Sequence, residues 1–155
     1  MPANTLPNID AIKELLGGLL GDGTVVRPGP AARKAEPAVV ADYVNDEGVA
    51  QARLICDLSL ANSAGAALTM IPPPVAQEAI KKQEVPETIL VNLQEILNIC
   101  VNVFAGNEQQ HLKLGRAQFV RPGQPGFPAA AVPSSAAFEV QVPRYGQGTL
   151  VAELL

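Results

Sequence analysis

The chain has 155 residues, 48% of them hydrophobic, and a formal net charge of −4. That length and apolar content suit one domain, 1–155, with a packed core, and exclude wholesale disorder. Trp is absent and aromatics are few, so the core must come from Val, Ile, Leu and Ala; the basic residues are scattered, with Arg33-Lys34 and Lys81-Lys82 as isolated doublets, which argues against nucleic-acid binding.

At the N-terminus "MPANTLPNID" has no basic segment leading into an apolar one, so no signal peptide is expected. In "AIKELLGGLL" the residues Ile12, Leu15, Leu16 and Leu19 follow helical spacing, with Asp10 as the expected N-cap and Gly21 with Gly23 as the stop. "TVVRPG" is a short extended segment and "GPAARKAEP" a loop. "AVVADYV" and "VAQARLICDLSL" flank Asn-Asp-Glu-Gly as a hairpin. Residues 60–71, "LANSAGAALTMI", form a small-residue helix ended by the prolines at 72–74, and "VAQEAIKKQ" a second short one. Pro86 then suits the first turn of a long helix over 87–105. "HLKLGRAQFV" is a strand, and "AAFEVQV" with "TLVAEL" a strand pair around "PRYGQG". The Pro/Gly/Ala-rich loop 121–135 is too long for a simple turn and is expected to be mobile or to lie across a surface. No apolar run crosses a bilayer, because Asp57, Asn62 and the prolines interrupt. A soluble, cytoplasmic, membrane-independent protein is expected, with Cys56 and Cys100 as buried free thiols. Helix, strands, helices, strands is the order of an α+β fold: an antiparallel β-sheet covered by helices, with the long helix as central packing element.

That helix carries Asn92, Glu95, Asn98 and Asn102 among apolar residues, and buried amides and carboxylates are costly unless satisfied. At ~100° per residue Val91, Gln94, Glu95, Asn98 and Asn102 share one strip, with Asn92 at its edge. Glu95 and Asn98, spaced i and i+3, point the same way. A merely wet helix side accounts for Gln94 and Glu95. It accounts less well for the asparagines, mediocre helix formers, or for an apolar Val91 within the strip.

"EILN", Glu95 to Asn98, in an apolar helix resembles the Glu-x-x-Asn core of the CheC/CheX/FliY family of chemotaxis phosphatases. The order of elements is similar over most of the chain: an opening helix, a β-hairpin, a helical pair, the motif helix and closing strands. Only one Glu-x-x-Asn is present, so the chain resembles the single-site CheX type. The family has Ser or Asp four residues before the Glu and usually Gly after the Asn; here Val91 and Asn102 stand in those neighbourhoods. The resemblance implies a CheC-like fold and, as partner, a phosphorylated receiver of CheY type whose aspartyl phosphate is hydrolysed. It implies no cofactor of the chain's own, since the receiver holds Mg²⁺ and a lysine on the phosphoryl group. Asn98 would then orient the attacking water and Glu95 would pair with the receiver's lysine. It also implies a homodimer paired through the sheets, for which the β-rich segment 136–154 offers an edge. The alternative is a non-catalytic interaction module on the same fold, binding a receiver or a flagellar or signalling component.

Other candidates yield blander readings. His111 has no Cys, Asp or second His at ligand spacing and is expected in a loop or strand edge. Ser59, Ser63, Ser134 and Ser135 lack a Gly-x-Ser-x-Gly setting, and "GGLLGDG" has the wrong spacing for a dinucleotide fingerprint. Asp57, between strand and helix, is a capping or turn residue.

Overall fold

A computed structural model describes residues 5–30, 36–104, 111–128, 132 and 134–155. The Arg33-Lys34 doublet therefore lies outside the described residues. The first helix, α1 (Ile9–Leu20), is capped by Asn8, whose side-chain oxygen accepts from the Ala11 N–H at 2.8 Å. The expected cap, Asp10, lies instead in the first turn, where its carboxylate faces the positive end of the helix dipole. Gly21 ends the helix at φ 116°, a conformation that suits a residue without Cβ.

After β1 (Val25–Pro28) comes the expected hairpin of β2 (Ala38–Val44) and β3 (Ala50–Asp57). Its turn is organised by Asn45, whose Oδ1 accepts from the N–H groups of Glu47 and Val49. Asp57 caps α2 (Leu58–Leu68) by accepting from the Leu60 N–H at 2.8 Å, as its strand-to-helix position suggested. Two further helices follow, α3 (Pro73–Lys81) and α4 (Glu87–Ile99), and then β4 (Lys113–Val120), β5 (Ser135–Val142) and β6 (Gly146–Leu154).

The long helix is shorter than its sequence pattern suggests. The expected span 87–105 stops being α-helical at Ile99 and tightens into a 3₁₀ turn, Cys100–Val103. The Asn102 amide bonds back to the Ile99 carbonyl at 3.1 Å, offering a terminal group a partner that is not the next helical N–H. Phe104 is meanwhile drawn into the core against Tyr43, ring centroids 5.5 Å apart. Residue 105 lies outside the described residues.

All pairings are antiparallel in a six-stranded sheet of order β1-β5-β6-β3-β2-β4. The segment 136–154 expected to offer an edge does not: β5 lies between β1 and β6, and β6 between β5 and β3. The edges are the four-residue β1 and the eight-residue β4. Alternation along the strands gives the sheet two unequal faces. One carries Val39, Ala41 and Tyr43 of β2, Leu54 and Cys56 of β3, and Val140 of β5 into the main core beneath α1, α2 and α4. The other carries Ala38, Val40, Ile55, Val120 and Val151, on which Phe127 packs. Of the loop 121–135, Phe127 thus packs on the sheet's outer face; residues 129–131 and 133 lie outside the described residues.

Helices α2 and α4 approach closely because Gly65 has no side chain: a Cβ there would meet the Ile89 carbonyl oxygen at 2.5 Å. Gly148 of β6 likewise leaves room for the backbone of Leu60 on α2. Among the described residues no helix is long and apolar enough to cross a membrane.

Candidate functional site

The polar groups of α4 divide into two kinds. Asn92 faces inward: its Nδ2 donates to the Gly65 carbonyl at 2.9 Å and to Thr69 Oγ1 at 2.7 Å, fastening α4 to the end of α2. Gln94 donates to the Ala117 carbonyl of β4 at 3.3 Å and ties the helix to the sheet edge. Asn102 is spent on the Ile99 carbonyl. These amides belong to the scaffold.

Glu95 and Asn98 are different. Both are exposed, and among the described residues neither takes a hydrogen bond or an ion pair. Three residues apart on a regular helix, their Cβ atoms lie ~5–6 Å from each other on one face. The opposite face of α4 is fixed by Ile89, Leu93, Ile96 and Leu97, all buried. The pair therefore projects from a helix whose backbone is held by core packing and by the anchoring amides on its flanks. Such an arrangement can present a carboxylate and a carboxamide to another macromolecule with little conformational freedom to lose.

Among the described residues no pocket is lined by Glu95 or Asn98. A more enclosed depression, about 430 Å³, lies at the other side of the sheet and includes Ile55, Asp57, Glu139 and Thr149. An open, shallow depression of about 560 Å³ is instead lined by Val91 and Asn92 of α4 and by Thr69 and Ile71 beyond α2, with Glu87 and Thr88. Its apolar component, joining residues twenty positions apart, left no mark in the helix pattern beyond an exposed Val91.

The remaining titratable and nucleophilic groups play other parts. Cys56 and Cys100 are free and buried, and burial pushes both thiols up, that of Cys100 to about 12. His111 sits in a turn at φ 52° and meets the Asp46 carboxylate at 3.2 Å, with both side chains exposed. That partner is 65 residues away and invisible to ligand spacing. Among the described residues no group of three His, Cys, Asp or Glu side chains could hold a metal ion. The Ser59 hydroxyl is engaged by the Gln147 carbonyl at 2.6 Å.

No protein-family model matches the sequence, and no curated protein matches it either. In three dimensions the chain is similar to several solved structures. A chain of the CheX–CheY–BeF₃–Mg²⁺ complex from Borrelia burgdorferi has a TM-score of 0.56 at 14% identity, over 94% of this chain and 93% of that one. A chain of the FliM–SpeE complex from H. pylori has a TM-score of 0.61 at 7% identity, over 94% of this chain and 80% of that one. A CheC-like superfamily protein from Shewanella sp. PV-4 has a TM-score of 0.53 at 10% identity, over 96% and 95% of the two chains. At these identities the likeness establishes the fold: α+β, of the CheC-like kind, as the sequence resemblance implies.

Proposed function

We propose that this chain is a CheX-type protein of the cytoplasm that binds a phosphorylated receiver domain and promotes hydrolysis of its aspartyl phosphate. The observation that carries the proposal is the exposed pair Glu95 and Asn98, uncommitted among the described residues, on a helix fixed by its buried face. The partner's chemistry supplies most of the reaction: a receiver holds Mg²⁺ and a lysine on its phosphoryl group. This chain contributes the position of the water. The Asn98 carboxamide both donates and accepts, so it holds a water in one orientation, in line with the bond from phosphorus to the aspartyl oxygen. As the water oxygen bonds to phosphorus, the aspartyl P–O bond breaks and its electron pair leaves on the receiver's carboxylate, releasing inorganic phosphate. Glu95 pairs with the receiver's lysine and sets the register of docking. A site that acts inside another protein needs no cavity of its own, in keeping with the open surface around the pair.

The direct test mixes the purified protein with phosphorylated receivers encoded beside its gene and follows phosphate release. Acceleration by the wild type, lost in Asn98→Ala, is the expected result. Equal, unaccelerated rates with both would remove the catalytic assignment.

A second reading is favoured by Val91, which stands where the resembling phosphatases carry Ser or Asp, and by the likeness to a chain of the FliM–SpeE complex. On that reading the fold is a non-catalytic interaction module. It predicts complex formation without turnover, so a binding measurement beside the phosphate assay separates the two.

We propose in addition that the chain pairs with a second copy through β4, the eight-residue edge strand, which among the described residues has a strand partner on one side only. Light scattering is expected to give the mass of a dimer; a monomer at high concentration would overturn this.

A further inference from the structure

Two turns of α4 before Asn98, the exposed face changes character. Val91 is 50% exposed, with the exposed carboxylates Glu87 and Glu95 four residues to either side. Residues four apart stack on one helix face, so the order along the face is acidic, apolar, acidic, then the Asn98 amide. The two carboxylates are carried about 12 Å apart at their Cα atoms. Among the described residues neither is ion-paired, and α4 contains no Lys or Arg that could neutralise them.

Beside Val91 lies the shallow depression that it shares with Ile71 and Thr69. Its wall is preformed, because Asn92 holds Gly65 and Thr69 from across the interhelix gap. Met70, between the two wall residues in the chain, is 74% exposed. Its backbone closes α2 by the hydrogen bonds Met70 N–H to Ala67 O and Ile71 N–H to Ala66 O, at φ 58°. That is a position where glycine is at home and a methionine is strained. An exposed, adaptable apolar side chain is thus kept at a backbone position that disfavours it, next to an apolar notch.

We infer that Glu87, Val91 and the Met70–Ile71 corner form a specificity notch for the receiver, one that accepts an apolar side chain flanked by two cationic ones. The inference rests on the proposed receiver binding and adds to it which receiver surfaces are admitted. Glu95 takes the lysine beside the phosphoryl group; Glu87 takes the second cation; Val91 and the corner bury the apolar side chain between them. A receiver with acidic groups at those places is rejected by like charge, which makes the pattern selective as well as attractive. A polar Ser or Asp in place of Val91 would admit a different set.

The test measures binding to the receivers encoded beside the gene, each loaded with beryllofluoride and Mg²⁺ as a stable stand-in for the phosphoryl group. Val91→Ser and Met70→Gly each weaken binding about five- to ten-fold, the Met70 change being one the backbone welcomes. Glu87→Lys weakens it more than about ten-fold at low salt, less as salt rises, and Glu87→Gln lies between. Glu47→Lys, in the exposed β2–β3 turn, carries the same charge change and leaves binding alone. Wild-type affinity in Val91→Ser, Met70→Gly and Glu87→Lys, with binding and Asn98-dependent phosphate release intact, overturns the notch while the proposed function stands. Absence of any receiver binding by the wild type overturns both.

Discussion

The phenol of Tyr43 donates a 2.5 Å hydrogen bond to the backbone carbonyl of Leu97, joining the C-terminal end of β2 to the residue immediately before Asn98. Tyr43 is fully buried, and its partners are 54 positions apart in the chain. The carbonyls of a helix's last turn lack helical partners, so a phenol here satisfies one and fixes the direction in which that turn leaves the core. The exposed amide is thereby tied to the sheet through a single backbone atom.

Replacing Tyr43 by Phe removes that donor and leaves the ring in place. The expected loss of stability is about 1–2 kcal/mol, read by denaturant unfolding. Phosphate release from a phosphorylated receiver is expected to fall about ten-fold while receiver affinity holds, because a loosened turn misplaces the amide without altering the docking face. Unchanged turnover in a destabilised Tyr43→Phe protein would show that the anchor serves the fold alone.

Asn92 and Asn98 are the same residue type six positions apart, and their truncations are expected to act oppositely. Asn92→Ala removes two hydrogen bonds to α2 and its end and costs about 1–2 kcal/mol of stability. Asn98→Ala, with an exposed amide, stays within about 0.5 kcal/mol of the wild type. Paired thermal melts read the contrast, and a large loss at Asn98 would contradict its exposure.

Gly65→Ala is expected to force α2 and α4 apart, since its Cβ would arrive 2.5 Å from the Ile89 carbonyl oxygen, and backbone cannot rotate aside as a side-chain tip can. A destabilisation of about 2–3 kcal/mol is expected from denaturant unfolding, together with weaker receiver binding as the wall of the notch shifts. A melt like that of the wild type would mean that the helices separate without cost.

The buried thiols set an alkaline limit. Desolvation raises Cys56 and brings Cys100 to about 12, and it raises Tyr43 further than the neighbouring thiols do. A group whose folded value lies above its unfolded one contributes its full stability below the unfolded value, ~8.5 for a thiol, and loses it as pH climbs toward the folded value. Melting temperature is therefore expected to fall steadily above about pH 8.5, steepening near 10 as tyrosine ionises in the unfolded chain. Cys100→Ala should flatten the decline relative to its own value at pH 7; an unflattened curve would place the effect elsewhere.

Much of this protein was legible as a sequence because the relevant physics is local. Apolar spacing marks α1 and α4, turn chemistry marks the β2–β3 hairpin, and a carboxylate between strand and helix marks the Asp57 cap. Glu95 and Asn98 share a helix face by arithmetic alone, and the arithmetic holds in the folded chain. What lay beyond it is long-range. Whether an asparagine on α4 is a tool or a fastening depends on what stands opposite: Gly65 and Thr69 opposite Asn92, nothing among the described residues opposite Asn98. The helix stops at Ile99 because tertiary contacts of Tyr43 and Phe104 compete with the next helical turn, which propensity within the helix does not register. Strand order likewise made β4 the long edge and put β5 and β6 inside, since pairing between distant segments is decided by how the whole sheet buries its faces, and no single strand carries that information.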